Sequence, residues 1–320
     1  MNGIKIRGMG RCFPAYIVTN EELARRVETS DEWITSRTGI CRRRHCTTES
    51  PVELCAQAAR TALERSGVRP EEIGACIVAT LTPEHLVPCT AALLQKEIGL
   101  PEDIVAFDLN AACTGFLFGL HTMECLLGAS KRKYGLVIGA EALSRILNWE
   151  DRSTCILFGD GAGAAVVECQ EGWPSIGAVT GCRGDRELLH VAGPGSGEQS
   201  LISMEGTKVF KFAVETVPKC MDQVLKNHSM TVEDVDFFVF HQANARIIDL
   251  VVRKYAIPPE KYYKNLAEYG NTSAASIPLV LSELEEQGKI GPGSRVLVVG
   301  FGGGLTWGGA VIEFAERSLP

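Results

Sequence analysis

The residue best suited to chemistry in this sequence is Cys113, which follows an apolar segment, residues 104–109, and precedes a helical pattern. At such a strand-to-helix turn, the N–H groups that start the helix favour the thiolate, the form that attacks carbonyl carbons. We therefore predict a thiol pKa below the free value of about 8.5. The small neighbours Ala111, Ala112 and Gly115 would let a substrate approach. The competing interpretation is a packed cysteine at a tight turn.

Two other polar residues stand in similar surroundings. His241 follows the apolar segment Phe237–Phe240 and opens a polar cluster that leads into a helical pattern. Its place at a strand end makes it a candidate for acid–base work, although a lone histidine is more often structural. Asn271 lies among small residues, where its amide could donate a hydrogen bond, although asparagine in a turn is commonly only a turn former.

A glycine-rich segment, residues 300–309, lies between two apolar runs. No Lys-Ser or Lys-Thr pair follows it, and it joins two predicted strands instead of opening a helix, which argues against phosphate binding. Glycine lets the backbone come close to a ligand. We predict that an N–H group of this loop forms one half of an oxyanion hole.

The elements that must position these residues occur twice along the chain. A helical pattern at residues 53–66 is followed by an acidic turn and an apolar strand at residues 75–80. The same order recurs with a helix at residues 212–226 and a strand at residues 237–240, and the acidic turns are offset by 233 − 71 = 162 positions. This repeat indicates two structurally similar halves.

A second repeat supports the same division. Residues 155–168 and residues 296–313 each read as strand, glycine turn and strand, and each ends in glutamate. Two halves of mixed helices and strands predict an α/β fold with a shared core, divided into residues 1–172, which hold the cysteine, and residues 173–320, which hold the histidine and the asparagine. The glycine-rich residues 180–204 predict a long, lid-like excursion.

Composition excludes several classes of protein. Hydrophobic residues make up 45% of the 320 and charged residues 22%, as in a globular protein with a sizeable core. A net charge of −7 without a basic face argues against nucleic-acid binding. No signal-peptide pattern and no apolar span long enough for a bilayer is present, so we expect a cytoplasmic protein.

Twelve cysteines are spread along the chain without a dense disulfide framework, so free thiols are expected. The closest pair, Cys41 and Cys46, lacks the four closely spaced ligands that zinc requires, and we expect no metal site.

Six motifs, in this order and at this spacing, resemble those of the thiolase-fold condensing enzymes, and specifically of the ketoacyl-acyl-carrier-protein synthase III family, over essentially the whole chain. The motifs are Thr29-Ser-Asp-Glu-Trp33-Ile with Arg37-Thr-Gly-Ile, Asn110-Ala-Ala-Cys113-Thr-Gly, Phe158-Gly-Asp-Gly-Ala-Gly-Ala, His241-Gln-Ala-Asn244, Gly270-Asn271-Thr-Ser-Ala-Ala-Ser and Phe301-Gly-Gly-Gly. The resemblance implies a thiolase-like fold of two βαβαβαββ halves that form a five-layered αβαβα core.

The resemblance also assigns roles within the reaction. Cys113 would be the nucleophile that takes an acyl group from acyl-CoA, with the N–H groups of Cys113 and Gly303 as the oxyanion hole. His241 and Asn271 would stabilise the enolate formed when malonyl-acyl-carrier protein loses carbon dioxide. Elongating synthases carry histidine at the third position, and thiolases need a second cysteine near the C-terminus, whereas no cysteine follows Cys220 here.

Binding residues follow from the resemblance in the same way, together with a homodimer and a reaction without a cofactor. The residues implied for CoA are Thr29, Trp33, Arg37, Arg152 and Asn244. The residues implied for the carrier protein are Gln242, Ala243, Asn244, Ala245, Arg246, Arg253 and Lys254. Without the resemblance, the last three basic residues would be read as an ordinary solvated helix face.

Three alternatives stay open at this point. A relative of specialised metabolism would load Cys113 in the same way but pass the acyl group to another acceptor. A catalytically silent partner subunit, which would usually lose the nucleophile, and a redox sensor fit the residues less well. The length of the primer depends on an acyl pocket that we expect around Leu81, Val87 and residues 188–201.

Overall fold

The computed structural model describes residues 2–316, in which strands and helices alternate along the chain. The strands are β1 Asn2–Cys12, β2 Tyr16–Thr19, β3 Arg42–His45, β4 Ile73–Ala79, β5 Val105–Leu109, β6 Tyr134–Glu141, β7 Gly161–Glu171, β8 Val179–Asp185, β9 Leu189–Val191, β10 Ile202–Met204, β11 Phe237–Phe240, β12 Arg295–Gly302 and β13 Gly304–Glu313. The helices are α1 Asn20–Leu23, α2 Asp31–Thr38, α3 Pro51–Ser66, α4 Thr90–Glu97, α5 Gly115–Gly128, α6 Arg152–Cys155, α7 Gly206–Asn227, α8 Ala245–Lys254, α9 Leu266–Tyr269 and α10 Ser276–Glu286.

Two mixed sheets form the centre of the molecule. The first has the strand order β1-β7-β6-β4-β5, and the second has the order β11-β12-β13-β8. Apolar side chains of α5 and α10 pack between the sheets, for example Leu120 of α5 and Val280 of α10 against Ile77 of β4 and Val298 of β12. Helices α3 and α4 cover the outer face of the first sheet, and α7 and α8 cover that of the second. The expected αβαβα order of layers is confirmed.

Local signals explain why α3 matches the helix predicted at residues 53–66. The Ser50 side chain accepts from the Glu53 N–H while the Glu53 carboxylate accepts from the Ser50 N–H, and Pro51 occupies the first turn. Gly67 ends the helix with φ of 68°, a left-handed conformation that glycine adopts without strain. In contrast, α7 begins at Gly206, which is 212 − 206 = 6 residues before the predicted start.

Two predictions about the strands are wrong. The chain at residues 155–158 does not form a continuous strand. The Asp151 carboxylate caps α6, residues 155–157 are the end of that helix and the turn after it, and Phe158 makes only an isolated bridge to Asn271 before the long strand β7. Residues 180–204 are not only an excursion. Strand β8 adds to the edge of the second sheet beside β13, and β9 pairs with β10 in a separate ribbon.

The first sheet uses residues 2–171 and the second uses residues 179–313. The expected division near residue 172 falls between these ranges and stays a prediction about domains. Within residues 2–316 no helix combines the length and the apolar character needed to cross a bilayer.

Candidate active site

Cys113 sits at a tight turn between β5 and α5. The Asn110 Oδ1 atom accepts a hydrogen bond from the Ala112 N–H at 3.2 Å, and Ala112 has a left-handed φ of 45°. A one-turn 3₁₀ segment, Ala112–Thr114, carries the cysteine into α5. At Gly115 an added Cβ would lie 2.9 Å from the Ala79 Cβ, so glycine is needed where the helix begins. The thiol is thereby held at the carboxyl end of the first sheet, as predicted.

The turn that carries Asn271 has the same construction. Its Oδ1 atom accepts from the Ser273 N–H at 2.9 Å, Ser273 has φ of 48°, and the 3₁₀ segment Ser273–Ala275 leads into α10. Asn271 therefore corresponds to Asn110 at an offset of 271 − 110 = 161 positions. Because Oδ1 serves the turn, the Nδ2 amino group is the part of this side chain that can donate to a substrate.

His241 follows β11 and is anchored by its N–H, which donates to the Val299 carbonyl at 2.9 Å. The side chain is buried, and its ring meets the Phe301 ring edge-on with centroids 5.4 Å apart. Burial lowers the pKa of His241 to about 3. The imidazole is therefore neutral near pH 7, and its single ring N–H can donate one hydrogen bond.

The glycine hairpin between β12 and β13 runs directly past the nucleophile. A Cβ added at Gly302 would lie 2.8 Å from both the N and Cβ atoms of Cys113, so only glycine allows this approach. Two hydroxyl groups fasten the hairpin: Thr306 donates to the Gly303 carbonyl at 2.9 Å, and Thr114 donates to Thr306 Oγ1 at 2.9 Å. No sequence motif predicts this threonine pair, because its members lie 192 positions apart.

Two cavities meet at the nucleophile, one of about 420 Å³ and one of about 1190 Å³, and Cys113, Phe158 and Leu189 line both. His241 and Asn271 line the smaller cavity. Leu81 lines the larger one, as expected of the acyl pocket. Val87 does not line it and is 88% exposed, so that part of the expectation is wrong for the single chain.

Three of the residues implied for CoA, Trp33, Arg37 and Asn244, line the smaller cavity. Two guanidinium groups lie over the Trp33 ring, with the Arg37 carbon 5.0 Å and the Arg152 carbon 4.7 Å from its centroid. The buried Oγ1 atom of Thr29 has no hydrogen-bond partner among residues 2–316. The Asn244 side chain caps α8 and donates to the Arg37 carbonyl at 3.1 Å, so it also has a structural role.

One residue implied for carrier-protein binding does not reach the surface. Gln242 is 1% exposed, and its Nε2 atom donates to the Phe240 and Tyr263 carbonyls. The carrier-protein contact expected of Gln242 is therefore wrong for this structure, because the motif begins inside the fold and only its later residues approach the surface. Ala243 and Ala245 are half-buried.

The electrostatics of the thiol differ from the prediction. Burial raises the pKa of Cys113 to about 12, the Ser273 hydroxyl acts in the opposite direction, and the charge of Glu141 adds to the rise. The lowered pKa expected from the start of the helix is therefore wrong. Sequence reasoning also missed Glu141, which is 1% exposed and accepts from the Thr82 hydroxyl at 2.7 Å. Within residues 2–316 no group of three His, Cys, Asp or Glu side chains could hold a metal ion.

Comparison with known proteins identifies relatives of this site and fold. Family models described as 3-oxoacyl-[acyl-carrier-protein] synthase III and as its C-terminal region match residues 107–184 and 225–314. Proteins named β-ketoacyl-[acyl-carrier-protein] synthase III are similar over their whole length: that of Clostridium acetobutylicum is 44% identical over 99% of this chain and 100% of its own, and that of Streptococcus suis is 45% identical over 98% and 99%.

Two solved structures show the same architecture. The 3-oxoacyl-[acyl-carrier-protein] synthase III of Aquifex aeolicus superposes with a TM-score of 0.92 at 42% identity and covers 98% of this chain and 100% of its own. The priming β-ketosynthase of a polyketide biosynthetic pathway superposes with a TM-score of 0.91 at 32% identity, covering 99% and 97%.

Proposed function

The chain belongs to the 3-oxoacyl-[acyl-carrier-protein] synthase III family, and we propose that it condenses a primer acyl-CoA with malonyl-acyl-carrier protein to initiate fatty acid synthesis. The observation that carries this proposal is that Cys113 lies where two cavities meet, with His241 and Asn271 beside it in the smaller one. One cavity can hold the primer chain while the other admits each thioester in turn.

In the first half-reaction, Cys113 attacks the thioester carbon of the primer. The carbonyl oxygen gains charge as the tetrahedral intermediate forms, and the N–H groups of Cys113 and Gly303 stabilise it by about 3 kcal/mol each. The C–S bond to CoA then breaks and leaves an acyl-cysteine. We propose that Trp33, Arg37, Arg152, Thr29 and the Asn244 region bind the CoA, because they surround the smaller cavity or its tryptophan.

In the second half-reaction, malonyl-acyl-carrier protein enters the same cavity. The neutral His241 ring and the Asn271 Nδ2 group donate to its thioester oxygen, so that loss of carbon dioxide gives a stabilised enolate. The enolate carbon attacks the acyl-cysteine and displaces Cys113, which releases a β-ketoacyl-carrier protein. These steps use side chains and backbone alone, and we propose that the enzyme works in the cytoplasm without a cofactor.

Intact-protein mass spectrometry tests the proposal directly. Acetyl-CoA and longer acyl-CoAs should each be offered, and at least one should add an acyl mass that malonyl-acyl-carrier protein then discharges to a ketoacyl-carrier protein. The similarity to a priming β-ketosynthase of polyketide biosynthesis makes an acceptor of specialised metabolism the second candidate. An adduct that persists with malonyl-acyl-carrier protein would favour that second function, and the absence of an adduct with every thioester would refute both.

The exposed face of α8 is our proposed docking surface for the acidic carrier protein. Arg246, Arg253 and Lys254 are exposed along it, and Leu250 among them is 42% exposed, a feature that the sequence did not single out. Basic side chains around an exposed leucine suit an acidic partner that also buries an apolar side chain against that leucine. Arg246 also lines the smaller cavity, which links this surface to the active site.

Reversing charge on this face is expected to weaken use of the carrier protein alone. In the double variant Arg253→Glu, Lys254→Glu, the KM for malonyl-acyl-carrier protein should rise about tenfold while the rate of acyl-cysteine formation from acyl-CoA stays unchanged. The control is Lys131→Glu, an exposed lysine just before β6. Steady-state kinetics at two salt concentrations measure the effect, and an unchanged KM in the double variant would remove α8 from the docking surface.

We also propose that the protein is a homodimer paired along β5. This strand is an edge of the first sheet, and Val105 on it is 51% exposed. The adjacent loop exposes Leu86 and Val87, and it is tied to β5 because the Thr90 N–H donates to the Asp108 carboxylate at 2.9 Å. An unpaired edge beside exposed apolar side chains is a ready surface for strand pairing.

Light scattering should give a mass near twice the 34.6 kDa of one chain. The double variant Leu86→Asp, Val105→Asp is expected to shift this mass to that of a monomer, because four buried carboxylates would face each other across the interface. Leu250→Asp changes another exposed apolar residue and should leave the dimer intact. A monomeric wild-type protein would contradict the proposal.

A further inference from the structure

Glu141 lies at the carboxyl end of β6, beside the nucleophile, and is almost completely buried. Its carboxylate accepts hydrogen bonds from the Leu81 N–H at 3.2 Å and from the Thr82 hydroxyl at 2.7 Å. Within residues 2–316 no lysine or arginine forms an ion pair with it. A buried carboxyl group without a cation is costly, so its presence beside a reactive thiol calls for an explanation.

Ser273 connects this carboxyl group to the thiol. The serine is 2% exposed and lines the larger cavity with Cys113, and among residues 2–316 its Oγ atom has no hydrogen-bond partner of good geometry. Burial raises the pKa of both Cys113 and Glu141, and the Ser273 hydroxyl opposes the rise at each group. The hydroxyl is therefore placed to donate to either group, one at a time.

Comparison of the two repeated turns shows that the hydroxyl is not needed for the fold. Ala112 holds the corresponding place in the first turn, with φ of 45° against 48° for Ser273, and its N–H makes the same bond to an asparagine Oδ1 atom. An alanine thus builds this turn equally well. The hydroxyl of Ser273 must serve something other than the turn, and the groups within its reach are a thiol and a carboxylate.

We propose that Ser273 and Glu141 take up the proton of Cys113 during acylation and return it during condensation. This inference rests on the proposed function. Ser273, which lines the larger cavity together with Cys113, would exchange a proton with the reacting thiol and thus be a catalytic residue, whereas Glu141 would act through it and be a positioning residue for the proton.

The proton balance closes over the cycle. As the sulfur of Cys113 bonds to the acyl carbon, its proton moves to Ser273 Oγ and the serine proton moves to a Glu141 oxygen. The C–S bond to CoA breaks, and the CoA thiolate takes one proton from solvent. When the enolate later displaces Cys113, the stored proton returns through Ser273 to the sulfur. One solvent proton is consumed for each carbon dioxide released, as decarboxylation of a carboxylate requires.

Among the titratable groups around this relay, Glu141 is the one expected to titrate near neutral pH. Burial raises the pKa of Glu141 to about 7. Burial also raises the pKa of Cys55 on α3 well above its usual range, and the charge of Glu141 adds to that rise. The pKa of His241 is lowered to about 3 by burial. Because the pKa of Cys113 is raised, the thiol needs a proton acceptor. Above about pH 7 the Glu141 carboxylate is unprotonated and can accept that proton, whereas below about pH 7 it is protonated and cannot.

The test is the pH dependence of Cys113 alkylation by iodoacetamide, followed by peptide mass spectrometry from about pH 5.5 to about pH 9.5. In the wild-type protein the rate should rise through an inflection near the pKa of Glu141 and then level off, because one proton is shared between thiol and carboxylate. In Glu141→Gln and in Ser273→Ala the inflection should vanish, and the rate at pH 8 should fall at least about tenfold.

Glu124→Gln is the matched control, because this carboxyl group on α5 is also buried and accepts from the Ser175 hydroxyl and the Ile176 N–H. It should keep the inflection even if it lowers stability. If Glu141→Gln does not fold, Ser273→Ala still tests the relay, because Ala112 shows that alanine fits this position of the turn. An inflection retained in Ser273→Ala, or faster alkylation in Glu141→Gln than in wild type, would overturn the relay. Alkylation needs no CoA, so this result is independent of whether acyl-CoA forms an adduct.

Discussion

Replacing Cys113 with alanine is expected to abolish the acyl adduct and to lower condensation at least about 1,000-fold, the scale seen when a covalent nucleophile is removed. The reason is geometric, because the turn aims a single side chain at the junction of the two cavities. Alanine fits the site without steric change, so the loss should not reflect unfolding. Mass spectrometry after mixing with acyl-CoA measures the adduct, and a coupled assay measures condensation.

Cys125→Ala is the control for this variant. Cys125 is an exposed thiol on α5 that lines neither cavity. Its removal should leave the adduct and the rate unchanged. In Cys113→Ala, release of carbon dioxide from malonyl-acyl-carrier protein should remain detectable, because the two donors for the enolate are intact. An acyl adduct on Cys113→Ala would place the nucleophile elsewhere.

Loss of either donor in the smaller cavity is expected to separate the two half-reactions. In His241→Ala and Asn271→Asp, acyl-cysteine should form at close to the wild-type rate, while its discharge by malonyl-acyl-carrier protein should slow about 100- to 1,000-fold, as when one donor to a developing oxyanion is removed. Asn271→Asp is informative because aspartate keeps the oxygen that accepts from the Ser273 N–H and replaces the Nδ2 donor with a carboxylate oxygen, so that the lost donor and the added negative charge both oppose the enolate.

Asn148→Asp provides the matched control for the amide. Asn148 lines neither cavity, and its Oδ1 atom accepts from the Glu150 N–H at 3.0 Å in the same kind of turn. Stopped-flow mixing of preformed acyl-enzyme with malonyl-acyl-carrier protein measures the discharge step. If the acyl-cysteine of both Asn271→Asp and His241→Ala were discharged at the wild-type rate, the enolate would need other donors. The roles proposed for His241 and Asn271 in condensation would then be wrong.

The turns that carry Cys113 and Asn271 have the same backbone construction. Each half has an asparagine whose side chain caps a turn, a left-handed residue two positions later and a 3₁₀ segment, and each then begins a helix buried between the sheets. The first copy places Cys113 where the two cavities meet. The second copy places Asn271 on the wall of the smaller cavity and Ser273 on the wall of the larger one. The same backbone turn thus presents different side chains to the two cavities that meet at Cys113.

Much of this arrangement was determined by the sequence itself. The apolar strands before Cys113 and His241 and the glycines between β12 and β13 are local patterns, and they place these residues at element ends without knowledge of the rest of the chain. The end of α3 at Gly67 is similarly local, because the left-handed conformation of one residue decides it.

Only the tertiary structure decided which of these residues are buried and which groups face one another. The raised pKa of Cys113, the burial of Gln242, the exposure of Val87 and the approach of Ser273 to Glu141 all depend on elements far apart in the chain. Desolvation is the sum of contacts from every element packed around a side chain, and a motif records only its neighbours in sequence. Spacing therefore predicted where Cys113 would stand, but the position of Ser273 relative to Cys113 and Glu141 was decided only when elements far apart in the chain packed together.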